Sequence, residues 1–205
     1  MGLEAALWVG ISVSAPAAAA WAWPQLQGPW RARAEALRPL AGWAHAILPA
    51  YLALVRGAVL GRDFGLYGPS PARAVAGLLA CAAGVGAAWV VRRWISIPSV
   101  SPLAALGEEP RWALYRAAGM LWLGDALPGV ALGLGLAALE VGLGSRWWRA
   151  EERARRASWF PLLRAGISAV LFLVTRSFWL TAATQVASLA VRPKADAGEG
   201  ERRGP

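Results

Sequence analysis

The chain has 205 residues, of which 57% are hydrophobic and only 16% are charged. Soluble proteins typically carry about 45–50% apolar and about 25% charged residues, so this composition argues against an ordinary water-soluble domain. The net charge of +9 comes almost wholly from arginine, but the arginines cluster between apolar runs, which argues against nucleic-acid binding and favours the positive-inside pattern of membrane proteins.

The first apolar run extends over residues 3–23 and is closed by Pro24. Its length suits a bilayer crossing of about 20 residues, and the alanines at 17–20 offer a small surface on which membrane helices approach closely. Because it lacks the basic start of a signal peptide, we expect a retained span. The next segment, 24–40, has three arginines beside Trp30, and predicts a loop or an interfacial helix in the cytoplasmic headgroup region.

Two further spans are predicted at 41–60 and 73–91. The first holds His45 and Arg56, which are eleven residues apart and therefore share one helical face. That face either lines a cavity, with His45 as a proton carrier or ligand, or consists of an interfacial histidine and a snorkelling arginine, which is the interpretation we favour. The second holds Cys81, the only cysteine, which excludes a disulfide framework and a multi-cysteine metal site.

The acidic pair Glu108-Glu109 precedes Pro110, a combination that predicts a helix start and a helix over 110–123. Glu109 and Arg116 share one face of that helix by their spacing. Two neighbouring carboxylates beside basic groups could hold a metal or a water as general base. They could equally complement the helix dipole from the first turn, with arginine partners one turn on, and we favour this structural role.

Residues 130–143 predict an apolar helix that holds a lone Glu140, and 146–156 pack five arginines into a segment typical of the cytoplasmic side. Residues 159–191 are apolar over about 50 Å of helix, more than the roughly 30 Å of a bilayer core. This run is either one tilted helix or two short helices that meet near Thr175-Arg176-Ser177.

The positive-inside rule connects these elements into a topology. With the N-terminus outside, the basic segments 24–40, 92–111 and 146–164 all lie inside. The polar tail 192–205, which we expect to be disordered, also lies inside only when the last apolar run is broken. Seven membrane helices are therefore favoured over six.

Three segments of the C-terminal half follow a recognisable order: Glu108-Glu109-Pro110-Arg111-Trp112, the helix ending in Glu140, and 175–185, where a turn and a Trp-Leu pair precede Gln185. They resemble the CPBP (CAAX protease and bacteriocin-processing) intramembrane peptidases. Members of that family carry a Glu-Glu pair at a helix start, then a middle histidine motif, then a turn and Trp-Leu pair before a final histidine. The resemblance covers residues 107–191.

The resemblance implies an all-α, polytopic fold of about six to seven membrane helices, in which Glu108, Glu109, Glu140 and Gln185 form one polar cluster at the position of the family's catalytic site. Glu140 and Gln185 stand where the family has histidines, and Ala113 stands where it has an arginine. Because a glutamine amide is neutral and non-basic, we expect a fold without peptidase activity, cofactor or metal.

The sequence thus predicts one helical membrane domain, 1–191, in the bacterial inner membrane, whose partners are the lipid bilayer and other membrane proteins rather than nucleic acid. The leading hypothesis is a non-catalytic CPBP-like protein. A second is a divergent hydrolase in which Glu109 activates water and Glu140 or Gln185 positions it. A third is a small transporter or an accessory subunit that uses the face of His45 and Arg56 together with Glu140.

Overall fold

The computed structural model describes residues 2–94, 102–148 and 160–190, and within them every regular element is helical. This confirms the predicted all-α class. A 3-10 turn, Trp23–Gln25, follows the first helix. The helices are α1 (Gly2–Ala22), α2 (Gly28–Val55), α3 (Gly61–Phe64), α4 (Pro71–Trp94), α5 (Pro102–Leu123), α6 (Ala126–Trp148), α7 (Phe160–Thr175) and α8 (Phe178–Ala190).

Helix α1 matches the predicted first span, and the predicted break in the last apolar run is confirmed. Helix α7 ends at Thr175 and α8 begins at Phe178. Between them Arg176 has a φ of 53°, a left-handed conformation that interrupts a helix. The tail 192–205 and most of the basic segment 146–156 lie outside the described residues.

Two predicted helix starts were wrong. Helix α2 begins at Gly28 rather than near residue 41, because Pro29 in its first turn starts the helix and the basic segment continues directly into the span. Helix α5 begins at Pro102, so Glu108 and Glu109 lie inside it rather than in its first turn. Proline in a helix interior removes one backbone hydrogen bond and does not have to end the helix when tertiary packing holds both sides.

Helix α5 is the centre of the bundle. It packs against α1, α2, α3, α6, α7 and α8, and its residues 112–120 are all buried. A helix that is buried on every side is a core element rather than an amphipathic surface helix. The side chains it carries are therefore surrounded by protein.

Glycines bring α5 and α6 into close contact. A Cβ added at Gly133 of α6 would lie 2.8 Å from the backbone nitrogen of Arg116 in α5, and one added at Gly129 would lie 2.5 Å from that of Met120. The two glycines are four residues apart and share one helical face, the small-xxx-small arrangement that lets membrane helices approach closely. This contact fixes the backbone that carries Arg116.

Three contacts gather helix ends at one end of the bundle. Trp122 of α5 donates a hydrogen bond to the carbonyl oxygen of Gly2 at 3.3 Å. Arg56, just after α2, pairs with Glu4 at 3.0 Å. The backbone nitrogen of Phe178 donates to the carbonyl oxygen of Gly65 at 2.8 Å, which joins the α7–α8 junction to the loop after α3.

The outer surface is strongly apolar. Large hydrophobic side chains on α1, α4 and α6 are exposed, and Leu3 (89%) and Leu79 (70%) are among the most accessible. Within the described residues, Gly2–Gln25 and Ala126–Leu143 are long and apolar enough to cross a membrane, and Pro71–Ala87 and Phe160–Thr175 are apolar but shorter. By length and composition these two stretches give weak support for membrane association, and they are fewer than the six or seven spans predicted.

The glycine contact predicts a selective effect of substitution on stability. Gly133→Ala should lower the free energy of unfolding by about 1–3 kcal/mol, because the new methyl group meets the α5 backbone, which cannot move aside as a flexible side chain would. Gly135→Ala, two residues along the same helix in open space, should cause no loss. Thermal unfolding followed by circular dichroism measures both, and equal melting temperatures for the two variants would contradict the close-packing argument.

Candidate functional site

Three glutamates, two of them buried and Glu108 partly buried, each lie against an arginine inside the bundle. Each pair is within salt-bridge distance, and no side chain of the six is more than 24% exposed. The three negative and three positive charges therefore balance one another. The pairs are Glu108 with Arg164 at 2.8 Å, Glu109 with Arg116 at 2.6 Å, and Glu140 with Arg111 at 3.0 Å.

The innermost pair is completed by a serine of α7. Glu109 and Arg116 are seven residues apart on α5, two helical turns, so both point to the same side. Arg116 Nη1 donates to Ser168 Oγ at 2.7 Å, and the Ser168 hydroxyl donates to the Glu109 carboxylate, 2.9 Å from Oε1 and 2.8 Å from Oε2. The guanidinium also lies over the ring of Phe172, 4.7 Å from its centroid. Together these contacts hold α5 against α7.

The second pair extends to α8. Arg164 Nε donates to Gln185 Oε1, and Gln185 Nε2 donates back to the backbone oxygen of Arg164, both at 2.9 Å. The Arg164 guanidinium lies over the ring of Trp112, 5.5 Å from its centroid. Gln185 thus uses both ends of its amide to bind one residue, and it ties α8 to α7.

The third pair connects α1, α2, α5 and α6. Glu140 Oε1 lies 3.0 Å from Arg111 Nη1 and 3.2 Å from His45 Nε2. Its other oxygen accepts a hydrogen bond of 3.0 Å from the Tyr115 hydroxyl, which is also 2.9 Å from the hydroxyl of Ser12. The Glu140 side chain is only 6% exposed, so nearly all of its surroundings are protein.

The structure brings together all four residues that the sequence indicated. Glu108 and Gln185 share Arg164 as a partner, and Glu109 lies beside Glu108 on α5. Glu140 is attached through Arg111, two residues after Glu109. The convergence is geometric, and a catalytic role for these residues stays a prediction.

The structure gives His45 and Arg56 different partners. His45 lies 3.2 Å from Glu140, and its side chain is 18% exposed. Arg56 is exposed and pairs with Glu4. Arg56 still follows the spacing of α2, since its backbone nitrogen bonds to the Leu52 oxygen, but it lies beside the start of α1 whereas His45 lies beside α6.

Sequence reasoning missed Arg164, Ser168 and Ser12. Arg164 lies in an otherwise apolar run, and a charged residue in such a run is a signal of a polar partner. Ser168 lies four residues later, on the same face of α7. These two positions could have been found by that rule, whereas nothing local marks Ser12 as the partner of Tyr115.

The arrangement is better suited to holding helices than to activating water. The Glu109 carboxylate is fully buried and hydrogen-bonded to Arg116 and Ser168, so its contacts are with protein groups that join α5 to α7. The described residues contain no group of three or more His, Cys, Asp or Glu side chains that could hold a metal. Among these residues, one nitrogen of each network arginine, Arg111 Nε, Arg116 Nε and Arg164 Nη2, has no hydrogen-bond partner. The other nitrogens bond to carboxylates and polar side chains. The guanidinium groups of Arg116 and Arg164 also lie over aromatic rings.

No family model, no curated protein and no solved structure matches this chain. Its function is therefore inferred from the geometry of the network and from the surface that surrounds it.

The buried pair predicts strong non-additivity. Arg116→Met and Glu109→Gln should each lower the free energy of unfolding by about 3–5 kcal/mol, since each removes one member of a buried, hydrogen-bonded pair. The double variant should lose clearly less than the sum of the two. Unfolding in mild detergent measures the cycle.

The exposed pair of Arg31 and Glu35 is the matched control, because its side chains are 54% and 56% exposed. Arg31→Met should leave stability unchanged within error. Additive losses at Glu109 and Arg116 would mean that the two charges do not depend on one another.

Proposed function

We propose that this chain is a multi-pass helical protein of the bacterial inner membrane, related in architecture to the CPBP intramembrane peptidases but without peptidase activity. Its buried glutamates and arginines act as a charge-neutral clamp that joins the helices. The observation that carries the proposal is the pairing of every glutamate of the network with an arginine, inside a bundle whose outside is apolar.

The distribution of polarity supports residence in a bilayer. The largest fully buried side chains include Arg116, Gln185 and Glu109, whereas leucines and valines of α4 and α7 face outward. Soluble monomers rarely expose large contiguous apolar surfaces. In lipid the same surface is an advantage, and the polar groups must then satisfy one another inside the protein.

The contacts between helix ends support seven crossings. The start of α1, the end of α2, the loop after α3, the end of α5 and the α7–α8 junction meet at one end of the bundle. The basic segment 24–40 comes directly after the end of α1 and includes the start of α2, and the basic segment 146–156 begins at the end of α6. Both segments therefore belong to the opposite ends of these helices. Helices α7 and α8, of 16 and 13 residues, are short. Helix α7 ends and α8 begins beside Gly65, and Gln185 of α8 bonds back to Arg164 of α7, so the two helices run in opposite directions to and from that end of the bundle.

The hydrogen bonds of the network argue against the hydrolase alternative. The single hydroxyl hydrogen of Ser168 is shared between the two oxygens of Glu109, and one of these oxygens also accepts a bond from Arg116. Gln185 is committed to Arg164 through its whole amide. A water-activating base must direct an oxygen at the water, whereas the Glu109 side chain is fully buried against Arg116 and Ser168, and the Gln185 amide is not basic.

Cysteine labelling tests the topology. In a Cys81→Ala background, Ser70→Cys, in the exposed loop before α4, should react with a membrane-impermeant maleimide added to intact cells with a permeabilised outer membrane. Ala36→Cys, on the exposed part of α2, should react only after the inner membrane is opened. Labelling of both sites from the same side would rule out the proposed arrangement, as would release of the protein by alkaline carbonate.

The proposal also predicts an absence of hydrolysis that depends on the network. The wild-type protein and Glu109→Gln should give the same background when incubated with quenched fluorescent peptides in mild detergent. Glu35→Gln, at an exposed glutamate on α2, serves as the control substitution. Cleavage that Glu109→Gln abolishes and Glu35→Gln preserves would instead establish the divergent hydrolase.

A further inference from the structure

The N-terminal half of α2 lies outside the bundle. Residues 28–43, here named the basic arm, contain no buried residue, whereas the second half of the same helix buries Ala46, Pro49, Ala50 and Ala53. Trp30 is 65% exposed, Leu37 58% and Leu40 65%. The arm is therefore a helical segment of which the bundle covers almost nothing.

The side chains of the arm are arranged in two adjoining stripes. At about 100° per residue, Trp30, Ala34, Leu37 and Ala41 fall on one face. Arg31 and Arg38, seven residues apart, fall on the neighbouring face. Three arginines stand against a single acidic residue, Glu35, which lies 3.4 Å from Arg31. The arm is thus amphipathic and carries a net positive charge.

Two aromatic contacts orient the arm. The Arg33 guanidinium lies over the ring of Trp30, 5.3 Å from its centroid, and that of Arg38 lies over Trp23, 5.6 Å from its centroid. Trp23 begins the 3-10 turn directly after α1. The arm therefore adjoins the end of α1 that is opposite to the Gly2 contact with Trp122, where apolar helix surface gives way to charged sequence.

We propose that the basic arm binds anionic phospholipids, with Arg31, Arg33 and Arg38 on their phosphate groups and with Trp30 and Leu37 at the level of the upper acyl chains. The proposal rests on the proposed membrane function, because the bilayer brings the lipid to the arm. Guanidinium groups bind phosphate oxygens in a fixed fork geometry. Tryptophan prefers the interface, where one part of the ring is apolar and the indole N–H is hydrated.

Charge and apolarity together favour a lipid over other acidic partners. A nucleic acid bound through its phosphates would leave the exposed Trp30 and Leu37 without an apolar environment. A helix with one basic and one apolar face is typical of binding to an anionic membrane surface. The arm is also continuous with exposed apolar surface on the second half of α2, where Leu48 is 50% and Val55 65% exposed.

The test places one environment-sensitive fluorophore on the arm of the full-length protein. In a Cys81→Ala background, Leu37→Cys carries the label on the apolar stripe, and Ala32→Cys carries it on the opposite face. Each protein, in mild detergent, is titrated with phosphatidylglycerol or with phosphatidylcholine. We expect a blue shift of the fluorescence at Leu37→Cys. The content of phosphatidylglycerol that gives half of this shift should be about tenfold or more lower than the content of phosphatidylcholine that does so. The label at Ala32→Cys should show no shift.

Replacing the three arginines by Arg31→Gln, Arg33→Gln and Arg38→Gln should remove the preference for phosphatidylglycerol, as should high salt. Arg62→Gln with Arg73→Gln, two exposed arginines elsewhere on the surface, should retain it. An equal response to both lipids, or a response that survives the triple change, would overturn the proposal. So would displacement of the lipid response by a short single-stranded oligonucleotide at equal phosphate.

These outcomes are distinct from failure of the proposed membrane function. A protein that resists alkaline carbonate extraction and labels as a seven-span protein, yet shows no preference for phosphatidylglycerol, would retain the function and lose the arm's role. A protein that carbonate releases would lose both.

Discussion

The fold depends on one electrostatic constraint: a charge inside an apolar bundle must meet an opposite charge within hydrogen-bond distance. Glu109 is fully buried, and Arg116 is its partner at 2.6 Å. An unpaired glutamate in that position would carry a desolvation penalty of several kcal/mol. The central place of α5, the glycine face of α6 and the serine of α7 are all arrangements that allow this pair to exist. Gly133 brings the Arg116 backbone against α6, and the Ser168 hydroxyl bonds to both the guanidinium and the carboxylate.

The three pairs also specify how the helices are aligned. A buried ion pair contributes little net stability compared with well-packed apolar side chains, and its best-attested effect is to select one register among several. The pair of Glu108 and Arg164 aligns α5 with α7, and Gln185 then aligns α8 with α7. Glu140 does the same for α6 through Arg111 and for α2 through His45. Shape alone discriminates weakly among small-residue surfaces, so polar contacts of this kind remove alternative packings.

Only part of this could be predicted from the sequence. The bounds of α1 and the break at Arg176 follow from the length of apolar runs, which is a local property. The gathering of Glu108, Glu109, Glu140 and Gln185 was expected from the resemblance of three segments to the CPBP family, and not from the spacing of these residues. The starts of α2 and α5 could not be predicted. For α5, the sequence Glu-Glu-Pro is the same whether Pro110 begins a helix or lies in a helix interior that tertiary contacts hold. The partners of His45 and Arg56 could not be predicted, because Glu140 and Glu4 come from distant parts of the chain.

The identity of the cations in the network bears directly on its chemistry. A guanidinium stays charged across the physiological range, so it cannot accept or release a proton during a reaction. A hydrolytic site needs groups that change protonation state and return, which is the role that histidine fills in many enzymes. Here each glutamate faces an arginine, and His45, the only histidine, binds a glutamate that Arg111 already neutralises. The network therefore consists of glutamate–arginine pairs, an arrangement that suits a permanent connection between helices.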